Sequence, residues 1–222
     1  MGNRIHPSAV LDGQIELGDD NTIGPFVVIS GPVFIGDGNF IGAGAVLGAL
    51  PEVRSFPHVA NDAALVGLTI GSRNVIREHA QIHGGLREAT RIGSDCFIMN
   101  QSYVAHDGRI GDNVTIASSA LLAGHVAVGD FANLGLGVHV HQYRSIGAGA
   151  MVGMGSVVTR DVMPFSLVYG SPARMRGANR VGLQRAGVDD DVIATIHRAY
   201  ERGDLSVADE VDLPSAISRY FR

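Results

Sequence analysis

From Ile5 to Val158 the chain places an aliphatic residue at every sixth position, with two interruptions. The longest unbroken run starts at Ile92, passes through Ile98, Val104, Ile110, Ile116 and Leu122, and ends at Val158. A six-residue beat matches neither the helical repeat nor the alternation of a half-buried strand; it predicts a hexapeptide β-solenoid. Four positions after each aliphatic residue the side chain is usually small or β-branched, as at Ala45, Ala80, Ser102, Val114, Ala120 and Ala150. Such residues suit the narrow interior of a thin coil. Arg144 breaks this second register, and nothing in the sequence accounts for it.

The two interruptions predict loops inserted into an otherwise regular coil, at about 48–69 and 83–91. Loops held on a rigid scaffold are where binding function concentrates. After Met163 the beat fades through a Pro- and Gly-punctuated stretch, so the coil is expected over 1–175 and a helical region over 176–222. The segment DDDVIATIHRAYER sets Val192, Ile193, Ile196, Ala199 and Tyr200 at helical spacing behind an acidic first turn. A second short helix is expected around Ala208 to Tyr220, broken or started at Pro214. Both would cap the open end of the coil, whose strand edges would otherwise be unpaired.

Thirty glycines, few aromatics and no Trp fit tight turns better than a packed α/β core. The net charge of −5 and the lack of a basic run speak against a nucleic-acid partner. All 17 cations are Arg, which excludes Lys-base and Schiff-base chemistry. The single Cys96 falls on a small interior position and reads as a buried small hydrophobe; no disulfide can form within the chain. The opening MGNRIHPSAV lacks the apolar core of a signal peptide, and no apolar run reaches membrane-spanning length. A cytoplasmic protein with no stable membrane insertion is expected.

The runs YVAHDGRIGDN, LLAGHVAVGDFA, VHQY, GAMVGMGSVVTRDV and NRVGLQRAGV follow one another in order, preceded by IREHAQIHGG. This ordered set resembles the UDP-N-acetylglucosamine O-acyltransferase family of lipid A biosynthesis, over most of the chain. The resemblance implies an all-β left-handed parallel β-helix of three-sided, eighteen-residue coils and a homotrimer. It also implies an acyl carrier protein thioester as donor substrate, a nucleotide-sugar acceptor and no cofactor or metal. On that coil, residues eighteen apart stack in one column. His106, Gly124 and Gln142 then align, with Asp107, His125 and Tyr143 beside them and the second inserted loop leaving from the same edge.

Transfer of an acyl group from thioester to hydroxyl needs a base for the hydroxyl proton and donors for the oxyanion. Histidine suits proton transfer near neutrality. His106 is read as the base, Asp107 or a neighbouring acceptor as the group that fixes its tautomer, and Gly124 as a bare backbone N–H for the oxyanion. The resemblance implies substrate contacts from Tyr103, His125, His141, Gln142, Asn179 and Arg185. Residues 162–188 contain Arg174, Arg176, Arg180 and Arg185 with no acid, a surface that could receive an acidic carrier protein. The chain departs from the family pattern on the acceptor side: LPEVRSF stands for PQDLKY, HGGL for HRGT, and Tyr103 for a histidine. Met154 stands where the family's glycine admits a longer acyl chain, which implies a ruler for shorter ones. Other readings are a different nucleotide sugar, a coenzyme A donor, a scaffold without activity, or a trimeric zinc hydratase of the γ-carbonic anhydrase kind. The histidines here do not meet that last family's spacing.

Overall fold

The structure is a computed structural model that describes residues 2–58, 65–204, 206–207 and 211–221. Strands of two to five residues wind into a three-sided coil of stacked, almost wholly parallel sheets. The first sheet has ten strands, from Arg4–Ile5 to Arg174–Ala178; the second has eight, from Val10–Asp12 to Val157–Val158; the third has seven, from Ile15–Leu17 to Ser145–Ile146. In the regular part successive coils pair eighteen residues apart, as in Val104 with Leu122 and Leu122 with Val140.

Every in-phase aliphatic residue from Ile23 to Val158 is buried. Of the in-phase aliphatic residues, Ile5 and Leu11 of the first coil are exposed and Leu17 is partly so. The small-residue register is buried too, including Cys96, whose thiol burial pushes up to about 11. A thiol so far above neutrality is a packing group, as its position in the repeat predicts. Arg144 is explained by a neighbour: its guanidinium leaves the coil interior and lies 3.3 Å from the Asp161 carboxylate, which also accepts the Ser145 amide.

The early coils carry asparagine at an interior position that later coils fill with Val114, Ala132 and Ala150. Asn21, Asn39 and Asn74 are fully buried, and each side-chain oxygen accepts the backbone N–H of the next coil: Asn39, Asn74 and Cys96, at 2.8–2.9 Å. Their amide nitrogens donate to the carbonyls of Gly36, Gly71 and Gly93. Buried polar groups are tolerated because this ladder satisfies them. Asn74→Ala would strand the Cys96 N–H and the Gly93 carbonyl. We expect it to cost about 3 kcal/mol, read as a lower thermal midpoint.

Three corners join the sheets. Residues such as Asp95, Asn113 and Phe131 on one corner, and Asp107, His125 and Tyr143 on another, adopt φ near +60°. Such a backbone costs energy for residues other than glycine, but the coil demands it at corner after corner, so it does not by itself mark a site.

Two loops leave the coil. The first lies between strands Val46–Ala49 and Leu68–Ile70, with 59–64 outside the described residues; the second lies between Gln81–His83 and Thr90–Ile92. The second grips the first: Gly84 donates to Ala49, Gly85 and Thr90 donate to Gly67, and His83 Nδ1 lies 2.7 Å from the Leu50 carbonyl. At the C-terminal end, strand Ser166–Tyr169 pairs antiparallel with Arg174–Ala178, a hairpin the hexapeptide beat does not announce. Helices α1 (Arg180–Arg185), α2 (Asp190–Glu201) and α3 (Ser215–Ser218) follow, the last running into a 3-10 turn at Arg219–Phe221. Helix α2 buries Ile193, Ile196, Ala199 and Tyr200 in a second small core with Phe165, Ala178 and Leu183. Of the second expected helix, 208–210 lie outside the described residues, and the helical part starts only after Pro214.

Candidate active site

The corner between the second and third sheets gathers His106, Asp107, Gly124, His125, His141 and Gln142 on three successive coils. His106 Nδ1 lies 2.7 Å from Asp107 Oδ2, and the Asp107 side chain is almost wholly buried. Asp107 Oδ1 accepts the backbone N–H groups of Leu86, Arg87 and Glu88 at 3.1, 2.8 and 2.7 Å. A carboxylate can only accept, so the His106 proton belongs on Nδ1 and the Nε2 lone pair is left bare.

That bare nitrogen sits over Gly124. A Cβ built on Gly124 would stand 2.7 Å from Nε2 and 2.8 Å from Cε1, so only glycine leaves room for the ring. Ala123 and His125 donate their amides to Val140 and His106 in the coil ladder, whereas Gly124 enters that ladder through its carbonyl, which accepts from Tyr143. The corner therefore offers a base above a stretch of backbone with no side chain.

His125 lies edge-on to His106, ring centroids 5.1 Å apart, and 3.7 Å from Asp107 Oδ2. Burial holds its pKa below the usual histidine value, opposed by Asp107 and aided by His106 and Arg87. A neutral His125 suits a hydrogen-bonding contact better than a second cation. Tyr143 stacks on its other face at 4.4 Å, an exposed aromatic surface that the column arithmetic placed there without assigning it a task.

The remaining candidates are elsewhere. Gln142 and His141 are exposed on the same corner, and Tyr103 faces outward from the adjoining strand, its ring 5.2 Å from that of His83. Asn179 caps α1: its Oδ1 accepts from Gly182 and its Nδ2 donates to Gly149. Asn179 and Arg185 line a groove of about 860 Å³ at the corner between the third and first sheets. Its lining includes Asn113, Thr115, Asn133 and Arg219 and contains no acid. Met154 stands 74% exposed on the remaining corner. Thus one chain does not bring all the candidates together; they occupy three different corners.

Among the described residues, His106, Asp107 and His125 form the one group spaced for a metal ion, their ligand atoms within 4.8 Å of one another. Asp107 is already engaged by three amides and His106, which leaves two imidazoles, short of the three protein ligands of a catalytic zinc site. The zinc-hydratase reading therefore does not fit the donor set.

A family model described as "Udp N-acetylglucosamine O-acyltransferase; Domain 2" matches residues 161–209, and one for the bacterial transferase hexapeptide matches 14–49 and 89–124. The chain is 49% identical over 136 residues to the acyl-[acyl-carrier-protein]–UDP-N-acetylglucosamine O-acyltransferase of Alkalilimnicola ehrlichii, an alignment that takes in 60% of this chain and 53% of the relative. It thus spans about half the length of the curated relatives it matches. Among solved structures, the UDP-N-acetylglucosamine acyltransferase from Campylobacter jejuni superposes with a TM-score of 0.79 at 30% identity, over 98% of this chain and 94% of that one. The Francisella novicida enzyme superposes with a TM-score of 0.76 at 26% identity, over 94% of this chain and 83% of that one. Fold, ordered motifs and full-length structural likeness together place the chain in one family: it belongs to the UDP-N-acetylglucosamine acyltransferases built on a hexapeptide β-helix.

Proposed function

We propose that the protein transfers a (3-hydroxy)acyl chain from acyl carrier protein to a hydroxyl of UDP-N-acetylglucosamine or a closely related nucleotide sugar. The observation that carries this reading is the His106 ring, held at Nδ1 by Asp107 and bare at Nε2 over Gly124. Nε2 takes the proton from the sugar hydroxyl as its oxygen attacks the thioester carbonyl. The oxyanion meets the Gly124 N–H; collapse expels the thiolate, which takes the proton back from the imidazolium. Thioester and alcohol become ester and thiol with no other reactant.

The working unit is a homotrimer. The outward positions of the second sheet include Val28, Val46, Leu121 and Val157, and those of the first include Phe40, Phe97, Met151 and Leu167. The third sheet is more polar outward: beside Phe34 it presents Glu16, Thr69, Arg91 and Arg109. Two apolar faces meeting at the Met154 corner are suited to burial against other copies, and a cyclic three-fold arrangement closes such a head-to-tail contact. The cleft between neighbours then has one wall ending at His106 and the other at the Arg185 groove, with Met154 toward the axis. An acyl chain fits its apolar depth, and the acid-free Arg174, Arg176, Arg180 and Arg185 region receives the carrier protein. Such substrates support a cytoplasmic location. No described helix is long and apolar enough to cross a membrane.

Purified protein incubated with acyl carrier protein thioesters of several lengths and a panel of UDP-sugars decides the activity; no acylated sugar from any pair would sink it. Light scattering decides the trimer. If Met154 is the ruler, Met154→Gly shifts the preference toward longer acyl donors in that same panel, and an unchanged preference removes that role.

A further inference from the structure

Asp107 is held by more donors than its bond to His106 requires. The consecutive amides of Leu86, Arg87 and Glu88 converge on one carboxylate oxygen, a nest of backbone N–H groups filled by a side chain from the coil. The Arg87 and Glu88 side chains are exposed, and Glu88 pairs with Arg109, so the inserted loop serves Asp107 through its backbone.

Gly85 lets the loop turn this tightly. A Cβ there would stand 1.7 Å from the Glu88 carbonyl oxygen and 2.8 Å from the Thr90 amide nitrogen. No left-handed φ is involved; the requirement is close approach of backbone to backbone. Gly84, one residue earlier, has its nearest neighbour at 3.5 Å and would accept a methyl group.

We propose that Gly85 is a positioning residue for His106: it closes the turn whose three amides hold the Asp107 carboxylate, and through it sets which ring nitrogen of His106 carries the proton. This rests on the reading of His106 as the base. The loop that departs from the family pattern at HGGL is then part of the catalytic support as well as a wall on the acceptor side.

The test is nitrogen NMR of the histidine rings in the full chain, above the histidine titration range, with His106→Gln to assign the signal. In the wild type and in Gly84→Ala, His106 is protonated on Nδ1 alone. In Gly85→Ala it becomes a mixture of both tautomers. Glu88→Pro, which deletes the shortest of the three donors, gives the same mixture; Glu88→Ala, which keeps the N–H and loses only the exposed carboxylate, does not. In turnover assays kcat falls about a hundredfold in Gly85→Ala and Glu88→Pro while KM for both substrates stays within about twofold. Melting curves and oligomeric state identify any variant that has not folded, and the two variants reach the same nest independently. A folded Gly85→Ala or Glu88→Pro protein with the Nδ1–H tautomer and wild-type kcat overturns the proposal. If the wild type acylates no sugar, the acyltransferase reading fails while the ring spectra still decide this one.

Discussion

His106→Ala lowers kcat about a thousandfold, within the range for removal of a positioned general base, and leaves the coil intact. Two features predict that separation of activity from stability. The ring lies on a corner with no share in the buried aliphatic column, so its loss opens no cavity in the coil. The partner left behind, Asp107, keeps its three amide donors and is not stranded as an uncompensated buried charge. Steady-state kinetics with a matched donor and acceptor, beside a thermal melt, check both halves. Equal turnover from the variant would mean that a different group takes the hydroxyl proton. A collapse in melting temperature would mean that the His106 and Asp107 pair holds the corner together, which the amide nest says it does not.

The coil was legible because every turn repeats one backbone conformation, so each interior position imposes the same requirement on the side chain. Ile92 to Val158 stays in phase, and its residues are buried without exception in that phase. The same regularity carried the alignment of His106 with Gly124, and of Asp107 with His125 and Tyr143, because stacking in a solenoid is arithmetic. What could not be read is what lies outside the repeat. The amides of Leu86 to Glu88 find Asp107 through a loop path that no periodicity describes. The hairpin Ser166–Tyr169 with Arg174–Ala178 and helix α1 replace the hexapeptide register with ordinary sheet and cap chemistry, where Asn179 closes the helix start. Columns also say nothing of how different corners meet. Met154, His106 and Arg185 fall in one family pattern along the chain yet stand on three corners of the structure, and the proposed trimer is the arrangement that would reunite them.

Gly124→Ala is the sharper experiment because it adds a single methyl group and removes nothing. The new carbon would stand 2.7 Å from His106 Nε2 and 2.8 Å from Cε1, contacts that folded proteins do not sustain, so the ring must swing away. Swinging breaks the 2.7 Å bond to Asp107 or carries Nε2 off the substrate hydroxyl. A displacement of about 1 Å at a reacting group costs on the order of a hundredfold, and kcat/KM should fall by at least that much. Alanine is permitted at this backbone, since Gly124 is not among the left-handed residues, so the melting temperature should be close to wild type. The variant keeps the Gly124 N–H, which makes it a test of the ring's place over the glycine and not of the oxyanion donor. Combining it with His106→Ala isolates the contact: the three nearest atoms to the added methyl all belong to the ring, so with the ring gone nothing else stands closer than 3.4 Å, an ordinary van der Waals distance. The double variant should then be no slower than His106→Ala alone. Additive losses in the two variants would mean that the methyl group obstructs substrate or oxyanion directly, and the site would have to be rebuilt around an occupied Gly124 face.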